Sequence, residues 1–339
     1  MNTSRIRFTA AVAIVALALT ACGTASSPAP EDTSLTVYSG RSEALVSDLY
    51  AAFTAETGIT VNARYGDSGE MAALILAEGS SSPADVFFSQ DAGALGAIEE
   101  SLEVLPQSVL SVVEPQHSAA SGKWVGVSGR VRVVVYNSTL VPNPPTTIDE
   151  LLDSKWSGKI GFAPNNASWQ SFVTALRVIR GEAEAEQWLT RFAANKPVAY
   201  EKNAIIRDAV NAGEVSLGLV NHYYLYEKIA AEGAEGIVAK NQYMAPGDVG
   251  GLINVAGVGI LKSAPHKAAA QRFVEFMQSD TAAEYFRTKT WEYLLNADAV
   301  QPEGLPLLSE LQAPSFDLSN LKSIEATQTL LQKVGLLTR

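Results

Sequence analysis

Two adjacent tyrosines, Tyr223 and Tyr224, stand where a short apolar run ends and a helical pattern begins. Their phenol oxygens are hard donors, and two side by side make an unusual pair. A free phenol titrates near pH ~10 and is neutral in water, yet a trivalent cation is charged enough to displace the proton and bind the oxygen. Ferric iron is the obvious cation for such a pair. The run Val215 to Val220 reads as a buried strand, and Leu225, Ile229 and Ala230 have the spacing of a helix. Asn221 reads as the N-cap between them. That places both tyrosines in the first helical turn, where unpaired N–H groups and the positive end of the helix dipole favour phenolate. The plain alternative is that Tyr223, Tyr224 and Tyr226 pack their rings along an amphipathic helix.

The elements around this corner alternate. Leu35 to Tyr38 reads as a strand, followed by a helix with Leu45, Val46, Leu49, Tyr50 and Phe53 on one face. Ile59 to Ala63 is a second strand, Gly69 to Ala77 a second helix, and Asp85 to Phe88 a third strand. Such alternation predicts an α/β fold with mostly parallel sheets, whose ligands lie at the carboxyl ends of the strands. Ser39-Gly40-Arg41 and Ser89-Gln90-Asp91 occupy such ends. Val125 to Tyr136 is strand-like but longer than one sheet needs, and reads as a crossing between two lobes. Lys159 to Phe162 opens the second lobe's sheet. The loop Ala163 to Ser168 precedes a helical stripe of Trp169, Phe172, Val173, Leu176 and Ile179. With Ser168 as its N-cap, that loop turns backbone N–H groups toward an anion. Ala204 to Ala212 reads as the helix leading into the tyrosine corner, Ile253 to Ile260 as a returning strand, and Ala268 to Met277 as a late helix. No internal repeat relates the two lobes.

The ends and the charge narrow the setting. Arg5 and Arg7 precede the apolar run Phe8 to Leu19, too short to span a bilayer, so residues 1–21 read as a signal peptide. Leu19-Thr20-Ala21-Cys22 resembles a lipobox, which would leave Cys22 as a lipidated N-terminus; it is the only cysteine, so no disulfide forms within the chain. Residues 22–34, rich in Ser, Pro, Ala and Thr, read as a disordered tether to the membrane. The formal charge of −11 becomes −13 once residues 1–21, with two arginines and no acid, are removed. That argues against nucleic acid as a partner. Gly66-Asp67-Ser68-Gly69 resembles a serine-protease nucleophile motif, but His117, His222 and His266 all lie downstream, where the motif needs a base upstream. Ser68 reads instead as a helix cap. A secreted enzyme is left as an outside alternative with no nominated nucleophile.

The order of these stretches resembles the ferric-iron-binding periplasmic solute-binding proteins of ABC transporters over about residues 35–300. The resemblance is carried by Leu35 to Arg41, Pro83 to Phe87, Trp124 to Arg130, Ala163 to Ser168, Asn221-His222-Tyr223-Tyr224 and Trp291-Glu292-Tyr293. It implies a two-lobed type II clamshell, with lobe 1 from residues 35–133 and 254–303 and lobe 2 from residues 134–253 and 304–339. It implies Fe³⁺ held by Tyr223 and Tyr224, a synergistic carbonate or phosphate, delivery to an ABC permease, and a monomer anchored outside the cytoplasm through Cys22, in a periplasm or at a cell surface. Asn203 and Asn221 match anion-holding positions, beside Asn166 and Ser168 of the second-lobe loop and Ser39 and Arg41 of the first. The chain departs from relatives at Ser42, where several have histidine, and at Gln90, where some have a carboxylate; no third tyrosine stands near Ser168. Gln90 and Asp91 are therefore the local metal-ligand candidates of lobe 1. Structural readings compete: Arg41 pairing with Glu43 or Asp67, Asn203 capping a helix, and Asp91 capping Ala92 to Ile98. His222 is expected to point elsewhere, since neighbouring helical residues diverge by about 100°. The same scaffold also suits a small organic or inorganic anion, such as a phosphonate, or a polyamine.

Overall fold

A strand of 13 residues, Val125–Asn137, joins two sheets. The computed structural model describes residues 32–296, 299–314 and 316–337. The strands are β1 (Ser34–Ser39), β2 (Thr60–Tyr65), β3 (Val86–Ser89), β4 (Val125–Asn137), β5 (Ile160–Phe162), β6 (Val198–Ala199), β7 (Leu217–Asn221), β8 (Ala239–Gln242) and β9 (Ile253–Ile260). They run in the order β2-β1-β3-β9-β4-β7-β5-β6, with β8 also on β4. Along β4, Val125 to Val131 pairs with β9 and Arg132 to Tyr136 with β7, so the strand changes sheets between Val131 and Arg132. The extra length read in the sequence is this handover.

The expected parallel pairing holds for the outer strands: β1 with β2 and β3, and β5 with β6 and β7. β4 and β9 run antiparallel to their neighbours, so both sheets are mixed. The physical reason is connectivity. β4 leaves the first sheet and β9 returns to it, and neither is tied to its neighbour by the helical crossover that parallel pairing requires. β3 is buried throughout and β4 at all but one position, which is why both are so rich in apolar residues.

Helices cover the sheets. Those of the first half are α1 (Glu43–Thr57), α2 (Ser68–Glu78), α3 (Ala92–Ala97) and α4 (Gln107–Leu110). Then come α5 (Ala167–Arg180), α6 (Glu182–Ala194), α7 (Asn203–Ala212) and α8 (Tyr223–Glu232). The chain closes with α9 (Lys267–Phe276), α10 (Asp280–Lys289), α11 (Leu308–Leu311) and α12 (Ile324–Lys333). α1 buries Val46, Leu49, Tyr50 and Phe53, as their spacing predicts, and ends at Gly58, whose φ of 73° lets its N–H reach Thr54 O. Phe53 meets Phe273 of α9 edge-on at 5.2 Å. Under the second sheet, Trp169, Phe172, Trp188 and Phe192 form a continuous aromatic cluster, with Trp188 stacked on Phe192 at 5.1 Å. Each such pair is worth about 0.5–1.5 kcal/mol beyond the area it buries.

Several expected boundaries move. Asn221 is the last residue of β7, held in the ladder opposite Arg132, and the position before α8 is His222, which makes no side-chain cap. Tyr223 and Tyr224 are still the first two helical residues. Ser168 lies inside α5, capped instead by Asn166, and Ser68 opens α2, capped by Asp67 in a capping box with Glu70. Lys202 precedes α7, so Asn203 is its first residue rather than its cap. Ser34, expected in the tether, already belongs to β1, and Thr60 N–H donates to Thr33 O. The signal peptide, Cys22 and most of the tether lie outside the described residues. Among the described residues, no helix is long and apolar enough to cross a membrane.

The C-terminal segment does not lie wholly with the second sheet. Residues Leu318–Lys322 pack on α3, where Gly93 and Gly96 permit the approach: a Cβ on either would stand 2.7 Å from a backbone oxygen, of Leu321 and Ser319 respectively. α12 packs on α5, with the hydroxyls of Thr174 and Thr327 2.7 Å apart.

Candidate metal and anion site

The β7–α8 corner presents the two tyrosines as a stacked pair, ring centroids 4.3 Å apart and planes 28° off parallel. Tyr223 is buried and Tyr224 half-buried. Burial, and then the neighbouring Tyr224, push the Tyr223 pKa well above the usual 10.0, so its phenol is neutral until something displaces the proton. His222 lies edge-on to the Tyr223 ring at 5.9 Å, and both its ring nitrogens are engaged. Its Nδ1 accepts from Val131 N–H at 3.1 Å, which leaves the proton on Nε2, and Nε2–H donates to Trp291 O at 2.8 Å. Burial lowers its pKa to about 4, so it is a neutral strut between β4 and the Trp291 loop. Trp291 itself holds a φ of 50°, the left-handed region that few side chains adopt.

Two charged residues of β4 face this corner. Arg130 and Arg132 are two apart, hence on one side of the strand, and they straddle the point where it changes sheets. Arg130 lies beside Glu292, its Nε 3.7 Å from Oε1, while Arg41 grips the same carboxylate with Nη1 at 2.8 Å and Nη2 at 2.9 Å. Ser128 Oγ and Thr290 Oγ1 donate to it at 3.0 and 3.1 Å. Burial alone would raise the Glu292 pKa, but Arg41, Arg130 and these hydrogen bonds outweigh it and hold it below 4.5. For Arg130, burial and then the charge of Arg41 lower the pKa; its Nε and Nη2, like Arg41 Nε, have no hydrogen-bond partner among the described residues. An arginine stays protonated in a protein, so this cluster is a source of positive potential. Arg130 accordingly opposes the rise in the Tyr223 pKa and favours phenolate.

A second cluster lies on the Tyr224 side. Asn166 Oδ1 accepts from Ser168 N–H at 3.0 Å and from Asn203 Nδ2 at 3.3 Å, while Ser168 Oγ accepts from Asn203 Nδ2 at 3.3 Å and from Arg132 Nη1 at 3.2 Å. Burial brings the Arg132 pKa down to about 9, countered by Tyr224, and the guanidinium sits 5.4 Å from the Phe172 ring centre. The N-termini of α5 and α7 and one guanidinium thus converge, an arrangement suited to an oxyanion. Asn166, Ser168 and Asn203, the residues that the family resemblance implied for an anion, meet here. Asn221 is buried at the end of β7, opposite Arg132.

Other expected site residues are committed elsewhere. Ser39 Oγ donates to Arg41 O at 2.9 Å and accepts from Arg41 N–H and Tyr50 OH, both at 3.2 Å, so it closes its own loop rather than facing an anion. Arg41 pairs with neither Glu43 nor Asp67; each of its terminal nitrogens donates to Glu292, 251 residues away. Asp91 Oδ1 accepts from Ala94 N–H at 3.0 Å and caps α3, in place of the metal role considered for it. Gln90 N–H donates to Ser68 Oγ at 2.9 Å, and the residue is half-buried. Among the described residues, no three His, Cys, Asp or Glu side chains assemble as a metal cluster. Sequence reasoning gave no role to Arg130, Arg132 or Glu292. The available signal was two arginines at strand spacing inside an otherwise apolar run.

The sequence pattern of the bacterial extracellular solute-binding proteins matches residues 38–284. An Fe(3+)-binding periplasmic protein of Serratia marcescens is 32% identical over 314 residues, covering 91% of this chain and 92% of its own. Iron-bound HitA from Pseudomonas aeruginosa superposes with a TM-score of 0.84 at 32% identity, over 90% of this chain and 100% of that one. A Trichodesmium protein, IdiA (FutA), solved with iron and citrate, gives 0.76 at 29% identity, over 90% of this chain and 100% of that one.

Proposed function

This chain belongs to the bacterial extracellular solute-binding protein family, and on that premise we propose that it captures ferric iron through Tyr223 and Tyr224 and passes it to an ABC permease. The observation that carries the proposal is the stacked phenol pair at the start of α8, with the charge of Arg130 acting on Tyr223 and that of Arg132 on Tyr224. Each phenol gives up its proton to the solvent as it binds the cation. The helix N-terminus and the arginines stabilise the phenolates that result. Two phenolates offset two of the three positive charges. The cluster of Asn166, Ser168, Asn203 and Arg132, with Asn221 beside it, is placed to hold a carbonate or phosphate that contributes further negative charge. The chemistry is capture and release, with no bond made or broken in a substrate, and the relatives are named as binding proteins rather than enzymes.

We place the cleft between lobe 1, read as residues 35–133 and 254–303, and lobe 2, read as residues 134–253 and 304–339, with the sheet handover in β4 two residues before that boundary and residues 318–322 packing on the first. β4 carries the chain across, and the chain returns to the first sheet at the start of β9. Closing the lobes about the cation completes its ligand set and gives the permease a distinct shape to accept. The protein works as a monomer outside the cytoplasm, held to the membrane by a lipid on Cys22.

A small anion as the sole cargo is the second reading, favoured by the excess of buried arginine over carboxylate at the site. Colour separates the two, since phenolate-to-iron charge transfer absorbs visible light and a complex with an organic ligand does not. The test is a titration of the apoprotein with ferric nitrilotriacetate, with and without phosphate or carbonate. The expected result is a visible band that forms at lower iron when the anion is present. Identical affinity in both arms would remove the synergistic anion from the account, and absence of the band would remove iron.

A further inference from the structure

Glu227 stands four residues after Tyr223 and three after Tyr224 on α8, the spacings that share a helix face. Helical side chains lean toward the N-terminus, which puts Glu227 on the helix face and turn that carry the phenols. The charges acting on it are Arg207 of α7, Glu292 and Arg41, and the last two also act on Tyr223. It is half-buried.

Among the described residues, no cation forms an ion pair with it. Arg207 is held by both oxygens of Asp208, at 3.0 and 3.1 Å, and by Tyr224 O at 2.7 Å. Lys228 is held by Asp208 at 3.1 Å and Glu232 at 2.8 Å. Arg41 is held by Glu292. A carboxylate removed from water without a partner is costly, and burial raises the Glu227 pKa to about 7. The other acids near the phenols are engaged: Glu292 by two arginines, and Asp91 by the cap of α3. On the first-lobe side, Ser42 and Gln90 carry no charge. Among the described residues, Glu227 is the carboxylate on that helix face with no ion pair or hydrogen bond.

We propose that Glu227 is a further cargo-binding residue, its carboxylate approaching the cation on Tyr223 and Tyr224 directly or through one water and adding a protein carboxylate to the charge of the phenolates and the anion. This rests on the ferric reading above.

The test uses the full chain with Glu227→Gln, which keeps size and removes charge, and with Glu232→Gln as a control on the same helix. Iron is loaded as ferric nitrilotriacetate and withdrawn with EDTA, while the charge-transfer band is recorded. We expect E227Q to keep a band at a shifted wavelength and to release iron at about 10- to 100-fold lower EDTA, the range seen when a supporting ligand of a metal is lost. The thermal midpoint of apo E227Q should be unchanged or higher, which separates lost binding from lost folding, and E232Q should match the parent in every readout. An unshifted band with an unchanged EDTA midpoint in E227Q, beside a normally coloured parent, would overturn the role of Glu227 and leave the ferric reading standing. A parent that develops no band would overturn both.

Discussion

Removing the charge of Glu292 is the sharpest perturbation of the site's framework. The carboxylate and both guanidinium groups around it are 1% exposed. Replacing a whole buried ion cluster with apolar groups can be neutral, but removing one partner leaves the others uncompensated and costs about 3–5 kcal/mol. Glu292→Gln does the latter, stranding Arg41 and Arg130 and turning an amide NH₂ toward one of them. At this chain length one kcal/mol moves the thermal midpoint by about 2 °C, so the apoprotein should melt about 6–10 °C lower. The pH dependence follows from the direction of the shift. Glu292 has a folded pKa below its ordinary 4.5, so its contribution is complete above that value and is lost as pH falls through the folded pKa. Calorimetry of parent and E292Q should therefore give a constant gap from about pH 8 down to about 5, closing at lower pH. Equal midpoints near neutrality, or a gap that widens on acidification, would refute the view that Glu292 is the ionised centre of the cluster.

Three further outcomes follow from other contacts. His222→Ala strands Val131 N–H and Trp291 O and opens a void against Tyr293, 4.8 Å from the imidazole, so urea unfolding should show a loss of about 2–5 kcal/mol with an unchanged slope. Gly40→Ala places a Cβ 2.0 Å from Ser68 Oγ and 2.9 Å from its Cα; the start of α2 must move and the bond from Gln90 N–H is lost, costing about 1–3 kcal/mol by thermal melting. Ser168→Ala removes the hydroxyl that accepts from Arg132 and Asn203, and the gain in iron affinity on adding phosphate, read by competition with EDTA, should shrink by about tenfold.

The tyrosine corner was legible because its information is local: strand, corner and helix lie within a short stretch, and their periodicities place Tyr223 and Tyr224 without help from elsewhere. The double length of β4 was legible for the same reason. Caps were less so, since Asn166 and Ser168, or Asp67 and Ser68, are both good cap residues and only the backbone path decides between them. The antiparallel insertion of β9 depends on pairing with strands far away in the chain, which no window of residues reveals. The Arg41–Glu292 pair joins residues 251 apart, and for the same reason local sequence offered Glu43 and Asp67 as partners instead. Arg130 and Arg132 were visible as charges inside an apolar strand, a pattern whose burial demands compensation. Reading it would have pointed to the site before any fold was known.

The central claim is that the phenols of Tyr223 and Tyr224 bind the iron. Ferric titration of the parent, of each single Tyr→Phe variant and of the double variant, followed in the visible and by competition with EDTA, tests it most directly. The account predicts a band in the parent, a weaker and shifted band in Tyr223→Phe and in Tyr224→Phe, and neither colour nor tight iron in the double variant, with all four apoproteins folded. Tight iron binding that persists in the double variant would contradict it.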